Sequence, residues 1–115
     1  MDHITPEQLI ALCGNNPAPL VIDVRREPVF RAAPDRIAGA LRRDPANVAD
    51  WGGSLPADPQ IIVYCVHGHE VSQNAARALR ERGLAARYLE GGLEAWRAAG
   101  GALEANNNNS TGENR

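Results

Sequence analysis

A chain of 115 residues can form one domain with a real hydrophobic core, but it is too short for two. Its formal net charge of −2 provides no basic patch of the kind that binds nucleic acid or anionic membranes. The apolar runs are too short to span a bilayer, and the first residues do not resemble a secretory signal. We therefore expect a cytoplasmic protein in which Cys13 and Cys65 both stay reduced.

The first predicted element is a helix. Thr5 is a suitable N-cap, Pro6 suits the first helical position, and Gly14 ends the pattern. The side chains expected on its buried face are Leu9, Ile10, Leu12 and Cys13. This pattern favours a core position for Cys13 over a role as a resolving cysteine.

Strand and helix patterns alternate along the rest of the chain. Apolar, β-branched runs predict buried strands at 20–24, 61–64 and 85–89, and helices are predicted at 71–82 and 93–99. The proline-rich stretch 25–59 is expected to be irregular, apart from a short helical turn near 46–51. This alternation predicts an α/β fold, with a parallel sheet covered by helices on both faces. We expect the ordered domain to span 1–104 and the polar segment 105–115 to be a disordered tail.

The segment 61–83 carries the most chemical information. Its strand is followed by Cys65, a short polar loop and an amphipathic helix that ends at Gly83. In a parallel sheet this sulfur would lie at the carboxyl edge, where open α/β folds place their ligand sites. The loop amides and the helix N-terminus would then favour a thiolate. The pattern therefore predicts that Cys65 is a nucleophile.

The residues around this sulfur are candidates for substrate binding. Gly68 would let the loop backbone curl, the two neighbouring histidines could donate hydrogen bonds, and the serine could cap the helix or contact substrate. A glutamate near a thiolate would oppose its charge, so we expect that side chain to point outward. The candidate residues are Val66, His67, Gly68, His69, Glu70, Val71 and Ser72.

Two further points concern the surroundings of the site. Asp23 and Arg25 end a neighbouring strand, and we expect them to support the site as a structural ion pair. Cys65, His67 and His69 have side chains that can bind metals, but no second Cys/His cluster completes a site. We therefore expect no metal and no cofactor.

Three sequence blocks resemble the rhodanese (sulfurtransferase) family. They are Val-Ile-Asp-Val-Arg at 21–25, Ile-Ala-Gly-Ala at 37–40, and Cys-Val-His-Gly at 65–68 with Tyr-Leu-Glu-Gly-Gly-Leu-Glu-Ala-Trp at 88–96. The resemblance covers roughly 5–102 and implies a rhodanese-like α/β fold with a five-stranded parallel sheet. It also implies a thiosulfate sulfurtransferase. In such an enzyme Cys65 would take sulfane sulfur from a donor such as thiosulfate, carry it as a persulfide, and pass it to a thiol or cyanide.

The chain departs from the family pattern at two places. The loop after Cys65 is one residue longer than in single-domain rhodaneses and lacks their arginine, and Asp35-Arg36 replaces a usual Gly-His pair. Longer loops resemble those of rhodanese-fold phosphatases and arsenate reductases, which have an arginine at the position of Val71. An oxyanion enzyme is thus one alternative, disfavoured because a dianion is normally held by a guanidinium.

A second alternative is a non-catalytic rhodanese module that binds partners or senses oxidants through Cys65. For the sulfurtransferase, the resemblance implies a small-molecule sulfur donor and a thiol or cyanide acceptor as partners. A protein is a further option as the sulfur acceptor. We expect neither nucleic acid nor membrane as a partner.

Overall fold

The computed structural model describes residues 2–56 and 60–106. The strands are β1 (His3–Ile4), β2 (Leu20–Asp23), β3 (Asp35–Ile37), β4 (Leu41–Arg42), β5 (Ile61–Tyr64), β6 (Ala86–Leu89) and β7 (Leu103–Ala105). Five of them form a sheet in the order β1-β6-β5-β2-β4, in which every neighbouring pair is parallel. β3 and β7 form a separate antiparallel pair. The five-stranded parallel sheet implied by the resemblance is confirmed.

Helices cover both faces of this sheet, as predicted. They are α1 (Pro6–Cys13), α2 (Glu27–Ala32), α3 (Val48–Gly52), α4 (Glu70–Glu81) and α5 (Gly92–Ala98), with a 3-10 turn at Pro45–Asn47. One core cluster joins the sheet to α1 and α5 through Leu9, Leu93 and Trp96. The other joins it to α3 and α4 through residues such as Val48 and Leu79. The central strand β5 lies between the two clusters and is completely buried.

The first helix begins as the sequence predicts. The side chain of Thr5 accepts a hydrogen bond from the Gln8 N–H at 3.1 Å, and the Gln8 side chain accepts one from the Thr5 N–H at 3.0 Å. Such a capping box satisfies two N–H groups that the helix leaves unpaired. However, the prediction of a buried face that includes Ile10 and Cys13 is wrong, because both are exposed. α1 follows the edge strand β1, so the fold covers only a narrow stripe of it.

Two other sequence predictions need correction. Residues 25–59 are less irregular than expected, because they contain α2, β3 and β4 as well as the helical turn near 46–51. The ordered chain also passes the boundary predicted at residue 104. Ala105 pairs with Asp35, and Asn106 is buried with its side-chain amide donating to the carbonyl oxygens of Phe30 and Ala33. The rest of the predicted tail, 107–115, lies outside the described residues.

None of the helices in the described ranges is long and apolar enough to cross a membrane.

Candidate active site

The candidate site lies where the chain changes direction across the sheet. From β2 the chain continues to β4 on one side, whereas from β5 it continues to β6 on the other. The segments that leave the carboxyl ends of β2 and β5 therefore diverge, which opens a crevice of the kind that binds ligands in open α/β folds. Cys65 directly follows β5, so the predicted nucleophile lies at this crevice.

Cys65 is buried and contacts one side chain in particular. Its thiol donates a hydrogen bond to the hydroxyl oxygen of Ser72, with an Sγ–Oγ distance of 3.2 Å. Ser72 is the third residue of α4 and is fully buried, and its hydroxyl lies 3.4 Å from the carbonyl oxygen of His69. Helix capping by Ser72 is therefore ruled out, because the N-cap residue is His69. The hydroxyl instead touches the candidate nucleophile.

The loop after Cys65 presents a run of unpaired backbone donors. Residues 66–69 form the loop, and α4 begins directly after them. No backbone N–H group from 66 to 72 has a hydrogen-bond acceptor among residues 2–56 and 60–106. The first N–H groups of a helix have no partner inside the helix, and the loop adds more such donors here. A run of donors of this kind can hold negative charge without a charged side chain.

Gly68 allows this loop to approach the neighbouring turn closely. Its φ is +72°, and a Cβ placed on it would lie 2.6 Å from the nitrogen of Gly91 and 2.7 Å from the carbonyl oxygen of Leu89. No side chain fits in that space, and an L-residue rarely adopts that φ. The loop backbone therefore packs directly on the turn that ends β6.

The start of α5 fixes the loop from the other side. The N–H groups of Leu93 and Glu94 donate to the carbonyl oxygens of Cys65 and Val66, at 2.9 and 3.1 Å. A Cβ on Gly92 would lie 2.5 Å from the same Cys65 oxygen. No role in holding the loop was predicted for Gly91 or Gly92 from the sequence. The only signal for it was the resemblance of 88–96 to a family block.

A cavity of about 260 Å³ opens beside Cys65. Val71 lies in its wall, where an oxyanion enzyme of this fold would have an arginine. The unpredicted helix α2 contributes Val29, and Glu70 is exposed at the cavity, in line with its expected outward position. The residues that line the cavity are Arg25, Arg26, Val29, Cys65, Val66, His67, His69, Glu70 and Val71.

Asp23 and Arg25 form a buried ion pair beside this cavity. The closest contact is 2.6 Å, between Nη2 of Arg25 and Oδ2 of Asp23, and both side chains are almost completely buried. The hydroxyl of Tyr64 donates to the same Asp23 oxygen at 2.8 Å and accepts from the Ile37 N–H at 3.1 Å. Through these contacts the pair joins β2, β5 and β3.

Electrostatics reinforce this network. Burial disfavours the charge of Arg25, but the hydrogen bond to Asp23 and the charge interactions with Asp23, Tyr64 and Asp35 together outweigh that effect and raise the pKa of Arg25. Burial and the adjacent Asp23 carboxylate raise the pKa of Tyr64 far above its ordinary value. Tyr64 therefore stays a neutral hydrogen-bond donor, and Arg25 stays charged.

The three histidines of the chain lie near one another at this loop, and two of them, His67 and His69, also line the Cys65 cavity. They line a second cavity of about 480 Å³ with Tyr88 and Glu90, and His3 Nε2 lies 3.2 Å from Glu90 Oε1. The ring centroids of His67 and His69 are 5.8 Å apart. In the part of the chain that the structure describes, no three His, Cys, Asp or Glu side chains are grouped so that they could hold a metal.

Comparisons with known proteins agree with this geometry. The family profile described as Rhodanese-like domain matches residues 5–99. The thiosulfate sulfurtransferase GlpE of Pseudomonas putida is 37% identical over 97 residues, which cover 84% of this chain and 84% of that protein. The protein of the same name from Stutzerimonas stutzeri is 36% identical over 96 residues, covering 83% of this chain and 84% of the relative.

Similar folds occur among solved structures. A full-length protein from Lactobacillus plantarum has a TM-score of 0.82 at 26% identity, covering 91% of this chain and 88% of that one. A rhodanese-related protein from Thermoplasma volcanium has a TM-score of 0.76 at 25% identity, and the match covers 90% of this chain and 98% of that one. A Rhodopseudomonas palustris protein described as a possible tyrosine phosphatase has a TM-score of 0.74 at 25% identity, and the match covers 90% of this chain and 87% of that one.

Proposed function

Because this chain belongs to the rhodanese-like family and is a rhodanese-type sulfurtransferase, we propose that Cys65 carries the transferred sulfur as a persulfide. The donor is a sulfane-sulfur compound such as thiosulfate, and the acceptor is cyanide or a thiol, either small or on a protein. The observation that carries this proposal is that Cys65 lines a cavity and directly precedes a loop and helix start whose N–H groups, at 66–72, have no acceptor in the described part of the chain. The reducing cytoplasm is the setting we infer for such a thiol.

The reaction has two displacement steps. In the first, the Cys65 thiolate attacks the outer sulfur of thiosulfate, a new S–S bond forms, and sulfite leaves with the electron pair of the broken S–S bond. In the second, cyanide attacks the outer sulfur of the Cys65 persulfide, so that thiocyanate forms and the Cys65 thiolate returns. A thiol acceptor reacts in the same way and leaves as an organic persulfide.

Each step places negative charge where the loop can stabilise it. The persulfide extends the anion by one sulfur into the cavity, where the N–H groups of residues 66–72 can donate to it. Ser72 can turn its hydroxyl from the His69 carbonyl to the ionised sulfur, since the Sγ–Oγ distance of 3.2 Å suits either direction of donation. Asp23 and Arg25 support the wall and do not bind substrate in this account.

The two alternatives receive less support from the site. An oxyanion enzyme would fit the relative described as a possible tyrosine phosphatase, but Val71 offers no guanidinium for a dianionic phosphate or arsenate. A non-catalytic module that only binds partners would not need a cysteine beside a cavity and a run of free donors, and a module that senses oxidants through Cys65 would need the thiol but not the cavity. Sulfur transfer uses all three features.

Thiocyanate formation from thiosulfate and cyanide tests the proposal. The wild-type protein should produce thiocyanate with turnover, and Cys65→Ser should produce none while keeping its fold by circular dichroism. Turnover by a folded Cys65→Ser protein would contradict the proposal. Phosphate release from an aryl phosphate that depends on Cys65, without thiocyanate formation, would instead support the oxyanion alternative.

A further inference from the structure

Helix α2 forms part of the wall of the Cys65 cavity, but it is weakly tied to the rest of the fold. It has six residues, of which Val29 lines the cavity. Its buried side chain is Phe30, which is in neither core cluster of the described residues. The Phe30 ring instead lies beside the guanidinium groups of Arg25 and Arg42, whose Cζ atoms are 5.3 and 5.7 Å from its centroid. A helix this short is not stable alone, so α2 needs a further contact to stay in place.

Asn106 supplies such a contact at the C-terminal end of α2. Its side chain is buried, and the amide nitrogen donates to the carbonyl oxygens of Phe30 and Ala33 at 2.8 and 3.0 Å. The last carbonyl groups of a helix have no partner inside the helix, so a side chain with two N–H donors can bind two of them at once. The backbone N–H of Asn106 also donates to the carbonyl oxygen of Pro34, at 3.0 Å. Asn106 therefore holds both the end of α2 and the segment that follows it.

The amide of Asn106 is fixed in one orientation by its neighbours. Its oxygen accepts a hydrogen bond from Nη1 of Arg36 at 3.0 Å. If oxygen and nitrogen were exchanged, the oxygen would face two carbonyl oxygens, and the nitrogen would face a guanidinium that has no acceptor. Arg36 is itself held on the antiparallel β3–β7 pair by its ion pair with Glu104. The two N–H donors of Asn106 are thus directed at α2 from a firmly held pair of strands.

We propose that Asn106 is a positioning residue for the Cys65 cavity: its amide holds α2 in place, and α2 sets the width of the cavity. The connection runs from the Asn106 amide, through the carbonyl groups at the end of α2, to Val29 in the cavity wall. Loss of the two donated hydrogen bonds frees α2 to move outward and widens the opening to Cys65. This role goes beyond the proposed function, since it needs only that molecules reach Cys65 through this cavity.

Alkylation of Cys65 by two reagents of different size measures the width of the cavity. The reagents are iodoacetamide and an iodoacetamide that carries a fluorescein group, in a Cys13→Ala background that leaves Cys65 as the only thiol. Both have the same reactive group, so a change in the pKa of Cys65 cancels in the ratio of the two rate constants. The cavity of about 260 Å³ is smaller than the range of about 300–1,000 Å³ typical of pockets for drug-sized molecules. Cys65 should therefore react slowly with the large reagent when Asn106 is present.

Two variants loosen the contact between Asn106 and α2. Asn106→Asp keeps the size of the side chain and an oxygen for Arg36, but it removes both N–H donors. The loss of two hydrogen bonds shifts an opening equilibrium by about tenfold or more, so the rate ratio of the large to the small reagent should rise by about this factor. Arg36→Ala is milder, because it removes only the guanidinium that orients the amide. It should raise the ratio by a smaller factor.

Two controls separate the position of α2 from general stability. Glu104→Ala removes the same ion pair as Arg36→Ala but leaves the Asn106 amide untouched, and Gly83→Ala strains the turn after α4, where φ is +86°. Both should keep the ratio of the Cys13→Ala background. An unchanged ratio in folded Asn106→Asp, or an equal rise in Gly83→Ala, would overturn the proposal; if Asn106→Asp does not fold, an unchanged ratio in Arg36→Ala does so. Because alkylation needs no sulfur donor, a raised ratio in a protein that forms no thiocyanate would support the role of Asn106 and contradict only the proposed function.

Discussion

The sulfur of Cys65 lies 3.2 Å from the hydroxyl oxygen of Ser72, inside the first turn of α4. Ser72 is fully buried, so water cannot easily replace its hydroxyl if it is removed. In the thiol form Cys65 donates to this oxygen. Once the sulfur is ionised, the hydroxyl can reverse its direction and donate to the sulfur. Among the described residues, Ser72 is the only side chain within hydrogen-bond distance of the Cys65 sulfur.

Ser72→Ala should therefore slow sulfur transfer without unfolding the protein. A hydrogen bond to a charged group contributes about 1.5–3 kcal/mol, so we expect kcat/KM to fall by about tenfold or more. Ala is a good helix former, and α4 should remain intact. Thiocyanate kinetics provide the measurement, and Ser54→Ala, which removes an exposed hydroxyl, is the control. Equal kcat/KM for Ser72→Ala and wild type would show that the hydroxyl does not assist the sulfur.

The second prediction concerns the contact between Gly68 and the Gly91–Gly92 turn. Gly68→Ala should destabilise the protein and reduce its activity sharply, because the new Cβ would lie 2.6 Å from the Gly91 nitrogen. Gly83→Ala is a matched control, since Gly83 has a φ of +86° but nothing within 4 Å of its Cβ position. The control should lose about 1–2 kcal/mol from its left-handed backbone and keep normal kcat/KM. Chemical denaturation and thiocyanate assays of both variants measure these effects. The packing account is wrong if the two variants behave alike.

The elements that the sequence predicts well depend on local signals. Thr5 and Gln8 cap α1, and Leu20–Asp23 and Ile61–Tyr64 are apolar runs long enough to predict strands. By contrast β1 and β4 contain two residues each, and no periodicity exists over two residues. Their positions follow from pairing with β6 and β2, which is a tertiary effect. α2 escaped prediction because prolines suggested a loop, although a proline in the first turn is compatible with a helix.

In the candidate site, too, some features follow from local sequence and others depend on segments that are distant in sequence. Placing Cys65 at the carboxyl edge of the sheet needed only a strand, a loop and a helix in sequence. The contribution of Val29 and the anchoring of the loop by Leu93 and Glu94 involve segments distant in sequence, so no local pattern reveals them. Exposure of Cys13 likewise depends on what packs against α1.

The third prediction concerns the buried pair of Asp23 and Arg25. Asp23→Asn should lower the free energy of unfolding by about 3–5 kcal/mol, because it leaves the buried Arg25 charge without its partner. Tyr64→Phe should have a smaller effect of about 1–3 kcal/mol, since it leaves the Ile37 N–H and one Asp23 oxygen with an unfilled hydrogen bond. Urea denaturation measures both values. If Asp23→Asn lowers the free energy of unfolding by less than about 1 kcal/mol, the pair contributes no more than an exposed ion pair does, which would contradict its structural role.

The fourth prediction is a pH dependence at Asp35, on β3. Hydrogen bonds from Arg97, at 2.8 and 3.0 Å, hold the pKa of the Asp35 carboxyl below its ordinary value, although partial burial acts in the opposite direction. A lowered native pKa adds stability that is complete above the ordinary carboxyl pKa of about 4 and disappears as the pH falls through the native pKa. Asp35→Asn should therefore be less stable than wild type at neutral pH, and the difference should shrink in acid.

Denaturation of wild type and Asp35→Asn across this pH range provides the measurement. Asp50→Asn, at an exposed position of α3, is the control and should show no comparable pH-dependent difference. If the difference in free energy of unfolding between wild type and Asp35→Asn stays constant as the pH falls, the charge of Asp35 is not the cause of its effect on stability.

Mass spectrometry of the intact protein after incubation with thiosulfate tests the persulfide most directly. A Cys13→Ala background leaves Cys65 as the only thiol, since these are the two cysteines of the chain. The account predicts a mass gain of one sulfur atom, its removal by cyanide with release of thiocyanate, and no gain in Cys65→Ser. A folded Cys13→Ala protein that gains no sulfur, or a Cys65→Ser protein that gains one, would contradict it.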